Sequence, residues 1–267
     1  VNGASSSEGV TIEKTRIHDG YRGIFLSGSS NNNTANNKGL SNNAVYSNSY
    51  HGFGLYSFSN NTISFNSNYD GFNIETSSNN TLTSNNSYSN SGSGFLLYSS
   101  SNNNNLTSNN SYKNNSHGFT ILTSSSNNTF DSNKSFGNNE NGFRFESSSN
   151  SNTLTSNSSY KNTDGFRFNS CSNNTLTSNI SHSGGSGFFL DSSSNNNTLT
   201  SNNSYNNSSH GFLILSSSSN NTLTSNNSYN NAEAGFNFEY SCNDNTLTSN
   251  NSYSNSQYGL KTIESSG

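Results

Sequence analysis

The chain has 267 residues, a formal net charge of −4, 25% hydrophobic residues and only 9% charged residues. Its 10 Lys plus Arg are scattered, which leaves no electrostatic footprint for nucleic acid, and no stretch approaches the ~18 apolar residues of a membrane span. The Asn/Ser-rich composition resembles a disordered tract, but 18 Phe and 14 Tyr fall at fixed offsets, which argues against a solvating linker.

The sequence starts at Val1 without Met or a signal peptide, as a processed chain or an excised fragment would. Val10-Thr11-Ile12 reads as a first strand, and Gly23 and Gly52 open irregular early copies of a repeat. From Gly71 the copies become regular, opening at Gly94, Gly118, Gly142, Gly165, Gly187, Gly211, Gly235 and Gly259, with a period of 22 to 24 residues. A fixed period of this size is the signature of a solenoid, whose repeats bury their apolar faces by stacking on one another. We read one domain over residues 1–267, irregular over 1–70 and regular over 71–267.

Within each repeat three short strands are predicted. After the Gly, offset +1 is apolar from Phe72 and Phe95 to Phe236 and Leu260, and offset +3 from Ile74 and Leu97 to Phe238. Period-2 alternation puts both columns on one face, the interior. The Gly suits a turn needing φ > 0 or a close backbone approach. The second strand is Thr-Leu-Thr, with Leu82, Leu106, Phe130, Leu154, Leu176, Leu199, Leu223 and Leu247 pointing inward.

Two residues after the Thr strand runs an unbroken column: Asn85, Asn109, Asn133, Asn157, Asn179, Asn202, Asn226 and Asn250. A second column, including Asn80, Asn104, Asn128 and Asn221, precedes that strand. Amides stacked about 4.8 Å apart can each donate to the next along the axis, and Asn tolerates the αL conformation of tight corners. Both columns are read as structural ladders. The third strand, Asn-Ser-Tyr, should turn Ser87 and its equivalents inward and the aromatic column from Tyr88 to Tyr253 outward.

The phrase N-N-T-L-T-S-N…G-F-x-L resembles the parallel β-helix repeat of NosD-like surface proteins, from about residue 10 to 265. The resemblance implies an all-β, right-handed parallel β-helix of about ten to eleven coils, with Asn ladders at its corners, in an extracellular or cell-surface protein. The family name carries a copper association that these residues do not support: there is no Met, and the five His are dispersed. His117 and His210 lie four coils apart, roughly 19 Å at sheet spacing, too far to share a metal. No cofactor is expected.

Polysaccharide-cutting β-helices need carboxylates converging on a groove, with a base and charge stabilisation. The best candidate here is Arg144, Glu146, Arg167 and Asp191, with Glu140 and Asp164 on the preceding turns; a solvated ion-pair ladder accounts for them better. Sequons at Asn60, Asn79, Asn127, Asn173, Asn196 and Asn220 sit one residue outside a ladder and are the expected positions for covalent glycans. Cys171 and Cys242 occupy similar turns three coils apart, roughly 14 Å, beyond disulfide reach.

The leading reading is a non-enzymatic structural protein of the cell surface, a self-assembling subunit of a filament, sheath or surface layer. Its partners would be further copies, stacked axially on uncapped ends and packed laterally through an outward apolar stripe. That stripe takes Leu96, Tyr98, Leu122, Phe189, Leu213 and Leu215, with Phe25 and Tyr56 before them. One alternative is a carbohydrate-binding or carbohydrate-processing β-helix. The other is an ice-binding solenoid using the Thr-x-Thr columns, which Asn105 and Asp131 interrupt.

Overall fold

A computed structural model describes residues 69–263 continuously and, before them, Asp19 and the short strands Ile12–Glu13, Arg16–His18, Arg22–Ser27, Leu40–Ser41, Ala44–Tyr46, His51–Tyr56 and Thr62–Ile63. Every strand pair is parallel and joins one repeat to the next. The strand after each Gly enters an 11-stranded first sheet, the Thr-Leu-Thr strand a 9-stranded second sheet, and the Asn-Ser-Tyr strand an 8-stranded third sheet. This is the expected right-handed parallel β-helix, and no helix occurs among the described residues. Complete three-sheet coils number about eight, fewer than the ten to eleven expected, because that expectation counted first-sheet strands alone.

The interior follows from the columns. Phe72, Phe95, Phe119, Phe143, Phe166, Phe188, Phe212 and Phe236 stack ring on ring with centroids 4.6–4.9 Å apart. Such pairs contribute about 0.5–1.5 kcal/mol each beyond burial. The inward Leu of the second sheet and the Ile, Leu or Phe at +3 fill the remaining space; Ile74, Leu82, Leu154 and Phe168 are all fully buried.

Asn ladders hold the corners. Asn85 Nδ2 and its backbone N–H both donate to Asn109 Oδ1, at 2.8 and 2.9 Å, and Asn109 Nδ2 also donates to the Leu82 carbonyl at 2.8 Å. The amide thereby satisfies backbone groups that a buried corner would leave orphaned. The column through Asn80, Asn104 and Asn128 bonds in the same way. The ladder Asn do not themselves adopt αL, contrary to expectation. The residue before each does: Ser84, Ser108 and Ser132 have φ of 58°, 57° and 56°, and Asn79 and Asn127 have φ of 59° and 57°. A ladder Asn must aim its amide along the axis, so the corner bend falls on its neighbour.

A third ladder was overlooked in the sequence. Asn90 Nδ2 donates to Asn114 Oδ1 and Asn114 Nδ2 to Asn138 Oδ1, at 2.7 and 2.9 Å. It breaks only where Gly184 replaces Asn, and there the Gly184 N–H reaches Asn207 Oδ1 at 3.2 Å. Each amide of this ladder also contacts the inward Ser, which donates to the carbonyl of the Gly of the next repeat, as Ser111 does to Gly118 at 2.8 Å. The repeating Gly is required by that closeness and not by φ. A Cβ on Gly187 would collide with Ser204 Oγ and meet the Gly211 carbonyl at 2.6 Å, while the only Gly with positive φ among the described residues is Gly137.

Candidate functional site

The ion pairs found among the described residues lie on or beside the outer face of the first sheet. In the position just before the Gly, five side chains accept from the backbone of the next coil. Asp70 Oδ1 takes the Ser93 N–H at 2.8 Å, His117 Nδ1 the Asn141 N–H at 3.0 Å, and Asn141 Oδ1 the Asp164 N–H at 3.2 Å. Farther along, Asp164 Oδ1 takes the Ser186 N–H at 2.9 Å and His210 Nδ1 the Ala234 N–H at 3.1 Å. Burial pushes the Asp70 carboxyl up to about 6 and raises that of Asp164 as well.

Both histidines sit in the same arrangement. Since Nδ1 accepts, the proton of a neutral ring lies on Nε2, which faces Glu140 Oε2 at 2.7 Å in His117 and Glu233 Oε2 at 2.7 Å in His210. Arg144 Nη1 crowds the same His117 nitrogen at 2.6 Å. Burial, then Arg144 and Arg167, hold the His117 ring down to about 3, and burial lowers His210 despite Glu233. The pairing joins residues one coil apart, and its sequence signal was an acid two positions before the Gly that follows a His-Gly repeat.

The expected cluster does come together, as ion pairs. Arg144 Nη2 lies 2.6 Å from Glu146 Oε1, and Arg167 reaches Asp164 Oδ2 at 3.5 Å and Asp191 Oδ2 at 3.6 Å. Arg167 also lies over the Phe189 ring at 4.5 Å. Farther along the same face, Lys261 Nζ holds Glu239 Oε1 at 2.6 Å, which keeps that carboxyl below its usual range.

The six apolar residues read as a lateral stripe are not continuous in register. Leu96 pairs with Asn73 on one side and Thr120 on the other. Phe189 and Leu213 are neighbours, but Arg167 and Asn237 bound them. Tyr98 stands beside Glu75, and Leu215 follows a strand that ends at Ile214. None is fully exposed, and Leu213 is only 9% exposed. An outward side chain here is lodged between neighbours, which the alternation rule alone does not register. Phe25 and Tyr56 fall where no side chain is described.

The sequon residues Asn79, Asn127, Asn173, Asn196 and Asn220 are all exposed, while Asn60 lies outside the described residues. Cys171 and Cys242 are free thiols in one column that elsewhere holds Ser101, Ser149, Ser194 and Ser218. On the third sheet Ser87 is buried and the aromatics face out. From Tyr88 through Phe136 and His182 to Tyr253, eight rings stack at 4.8–5.1 Å.

Residues 2–159 match the model of the right-handed β-helix region, and residues 142–267 that of NosD, described as a periplasmic copper-binding protein. No curated protein matches the sequence. Among solved structures, the A-module of the mannuronan C-5 epimerase AlgE6 from Azotobacter vinelandii is 15% identical, with TM-score 0.62 over 100% of this chain and 88% of that one. The periplasmic alginate epimerase AlgG is 11% identical, with TM-score 0.61 over 90% and 70%. PfbA, a surface adhesin of Streptococcus pneumoniae, is 13% identical, with TM-score 0.55 over 97% and 74%. These three share the fold.

The residues present do not fit a copper site. Among the described residues no group of three His, Cys, Asp or Glu converges. Each buried His spends Nδ1 on a backbone N–H and turns Nε2 to a carboxylate, and Cys171 is sealed in the core with its thiol pushed up to about 12. What the two models recognise is the repeat: the chain belongs to the right-handed β-helix family, and residues 142–267 are NosD-like.

Proposed function

We propose that this chain is a non-catalytic structural rod of the extracytoplasmic space, an element of a cell-surface layer or filament. One observation carries the reading. Each titratable group in the column before the Gly residues, from Asp70 through His117 and Asp164 to His210, caps the backbone N–H of the following coil.

A catalytic acid or base needs a lone pair or proton free to meet substrate. Here one such atom of each group closes the coil, the Nε2 of both His and Oδ2 of Asp164 meet a charged neighbour, and Glu146, Asp191 and Glu239 face a cation of the same face. The periplasmic and surface neighbours support a location outside the cytoplasm. Contacts between copies would use the short apolar patch of Phe189 and Leu213, with glycans carried on the exposed sequon corners.

The test is incubation with poly-mannuronate, pectic and glycosaminoglycan chains, followed by proton NMR of the sugar and ultraviolet absorbance for unsaturated uronates. No epimerisation or cleavage is expected. Turnover that disappears in Arg167→Ala would replace the structural reading with a carbohydrate-processing one. Light scattering over a concentration series reads self-association separately.

A further inference from the structure

The outer face of the second sheet differs from the other two. Its strands from Thr153–Thr155 to Thr246–Thr248 run in unbroken parallel register, and all five carry Thr at both outward positions. The Leu between each pair points inward, with Leu154, Leu176, Leu199 and Leu223 fully buried, so the backbone under the grid is pinned. Thr is β-branched and stiff at χ1, so its hydroxyl and methyl inherit the order of the coil.

On the first sheet Arg144, Arg167 and Lys261 pair with carboxylates, and on the third sheet a column of stacked rings runs beside Asn side chains that bond one another. The Thr hydroxyls of this block, by contrast, have no partner within the chain among the described residues. The interruptions noted in the sequence lie before the block. At Asn105 the hydroxyl of Thr107 is diverted to the Asn side chain at 3.0 Å, and at Asp131 the carboxylate takes Ser132 Oγ at 3.0 Å.

The spacing of the grid is set by the coil. Both aromatic stacks measure its rise as 4.6–5.1 Å, and alternate residues along a strand stand about 6.6 Å apart. In a tetrahedral water network with O–H···O bonds of about 2.7–2.8 Å, two oxygens bonded to a common third lie about 4.5 Å apart. Water held by one Thr row can therefore continue into the next as part of an ice-like layer, while the Thr methyl groups of the same face favour ordered water over bulk contact.

We propose that the second-sheet face from Thr153 to Thr248 binds ice. The ligand is the ordered water lattice of a growing crystal, held by the Thr hydroxyl and methyl rows together. This function is independent of the reading given to the first sheet, and the two fail separately.

The 267-residue chain is tested against ice by partition into a slowly growing ice hemisphere and by cryomicroscopy of recrystallising polycrystalline ice. The chain should enter the ice and arrest grain growth. Thr177→Tyr with Thr200→Tyr should abolish both effects at unchanged circular dichroism, while Asn203→Tyr on the third sheet should leave both intact. Should the double Tyr variant not fold, Thr177→Ala with Thr200→Ala removes the same hydroxyls without bulk and should show the same loss. Exclusion of the unmodified chain from ice overturns the proposal, and so does undiminished entry of a folded double variant.

Discussion

Asn202 donates both its side-chain Nδ2–H and its backbone N–H to the single oxygen Oδ1 of Asn226, at 3.0 and 2.9 Å. Its Nδ2 also bonds the Leu176 carbonyl at 2.9 Å, and its own Oδ1 receives Asn179. One buried amide thus serves three coils. Replacing Asn202 with Leu should destabilise the fold by ~1–3 kcal/mol, the cost of leaving buried polar groups unpaired. Chemical denaturation checks it; an unchanged midpoint would show that the column contributes nothing.

Gly187→Ala should be at least as damaging, although φ at this residue is ordinary. The added methyl strikes Ser204 Oγ and the Gly211 carbonyl, so the bond from Ser204 to Gly211 at 2.9 Å must break or the coils must part. Ala at Gly137, where nothing lies within 4 Å but φ is +64°, should cost less, about 1–2 kcal/mol from backbone strain. Thermal melts of the two variants side by side decide the order.

The two thiols should react differently in the folded protein. Cys171 is fully buried and its thiol is raised to about 12 by burial, whereas Cys242 is only partly covered. Maleimide at neutral pH should label Cys242 first and Cys171 only on unfolding. Cys171→Ser restores the residue found elsewhere in its column and should shift stability by less than about 0.5 kcal/mol.

Acid should weaken the fold through His117. The folded ring titrates at about 3, against 6.5 for an unconstrained His. Between those values the unfolded chain takes up a proton that the folded chain does not, so stability falls as pH drops from 6.5 toward 3, with no contribution above 6.5. Asp70, raised from 3.8 to about 6, acts in the opposite direction: the folded state gains as pH falls through 6. The difference between variant and parent is therefore the useful measurement. His117→Asn copies the acceptor that Asn141 provides one coil later, and melting temperatures from pH 7 to pH 4 should decline less steeply in that variant than in the parent.

Much of this was legible because the repeat averages out local noise. The Phe72 and Ile74 columns, the inward Leu82 and the Asn85 ladder each recur at one offset from a Gly, and the structure places them as alternation requires. The Asn90 ladder stood in the same repeat phrase, but variable turns before the Gly blurred its column. The His117–Glu140 and His210–Glu233 pairs are hard to read because the partners sit in different coils, so their shared spacing shows only when one repeat is laid over the next. The apolar stripe was overread for a related reason. Counting Leu96, Phe189 and Leu213 along the chain ignores what lies beside them across it, and there Asn73, Arg167 and Asn237 interrupt.

Among the described residues the ladders repeat across partners 24 residues apart, shortening to 22 or 23 where the donor lies between residues 152 and 184. Because each coil offers its successor nearly the same floor that it received, a block such as residues 203–226 could be lost or duplicated while Asn met Asn and Phe met Phe at the new junction. Selection can therefore adjust how far such a molecule reaches in steps of one coil, about 4.8 Å, without inventing a new core. The repeat makes the protein a ruler whose length is set by copy number.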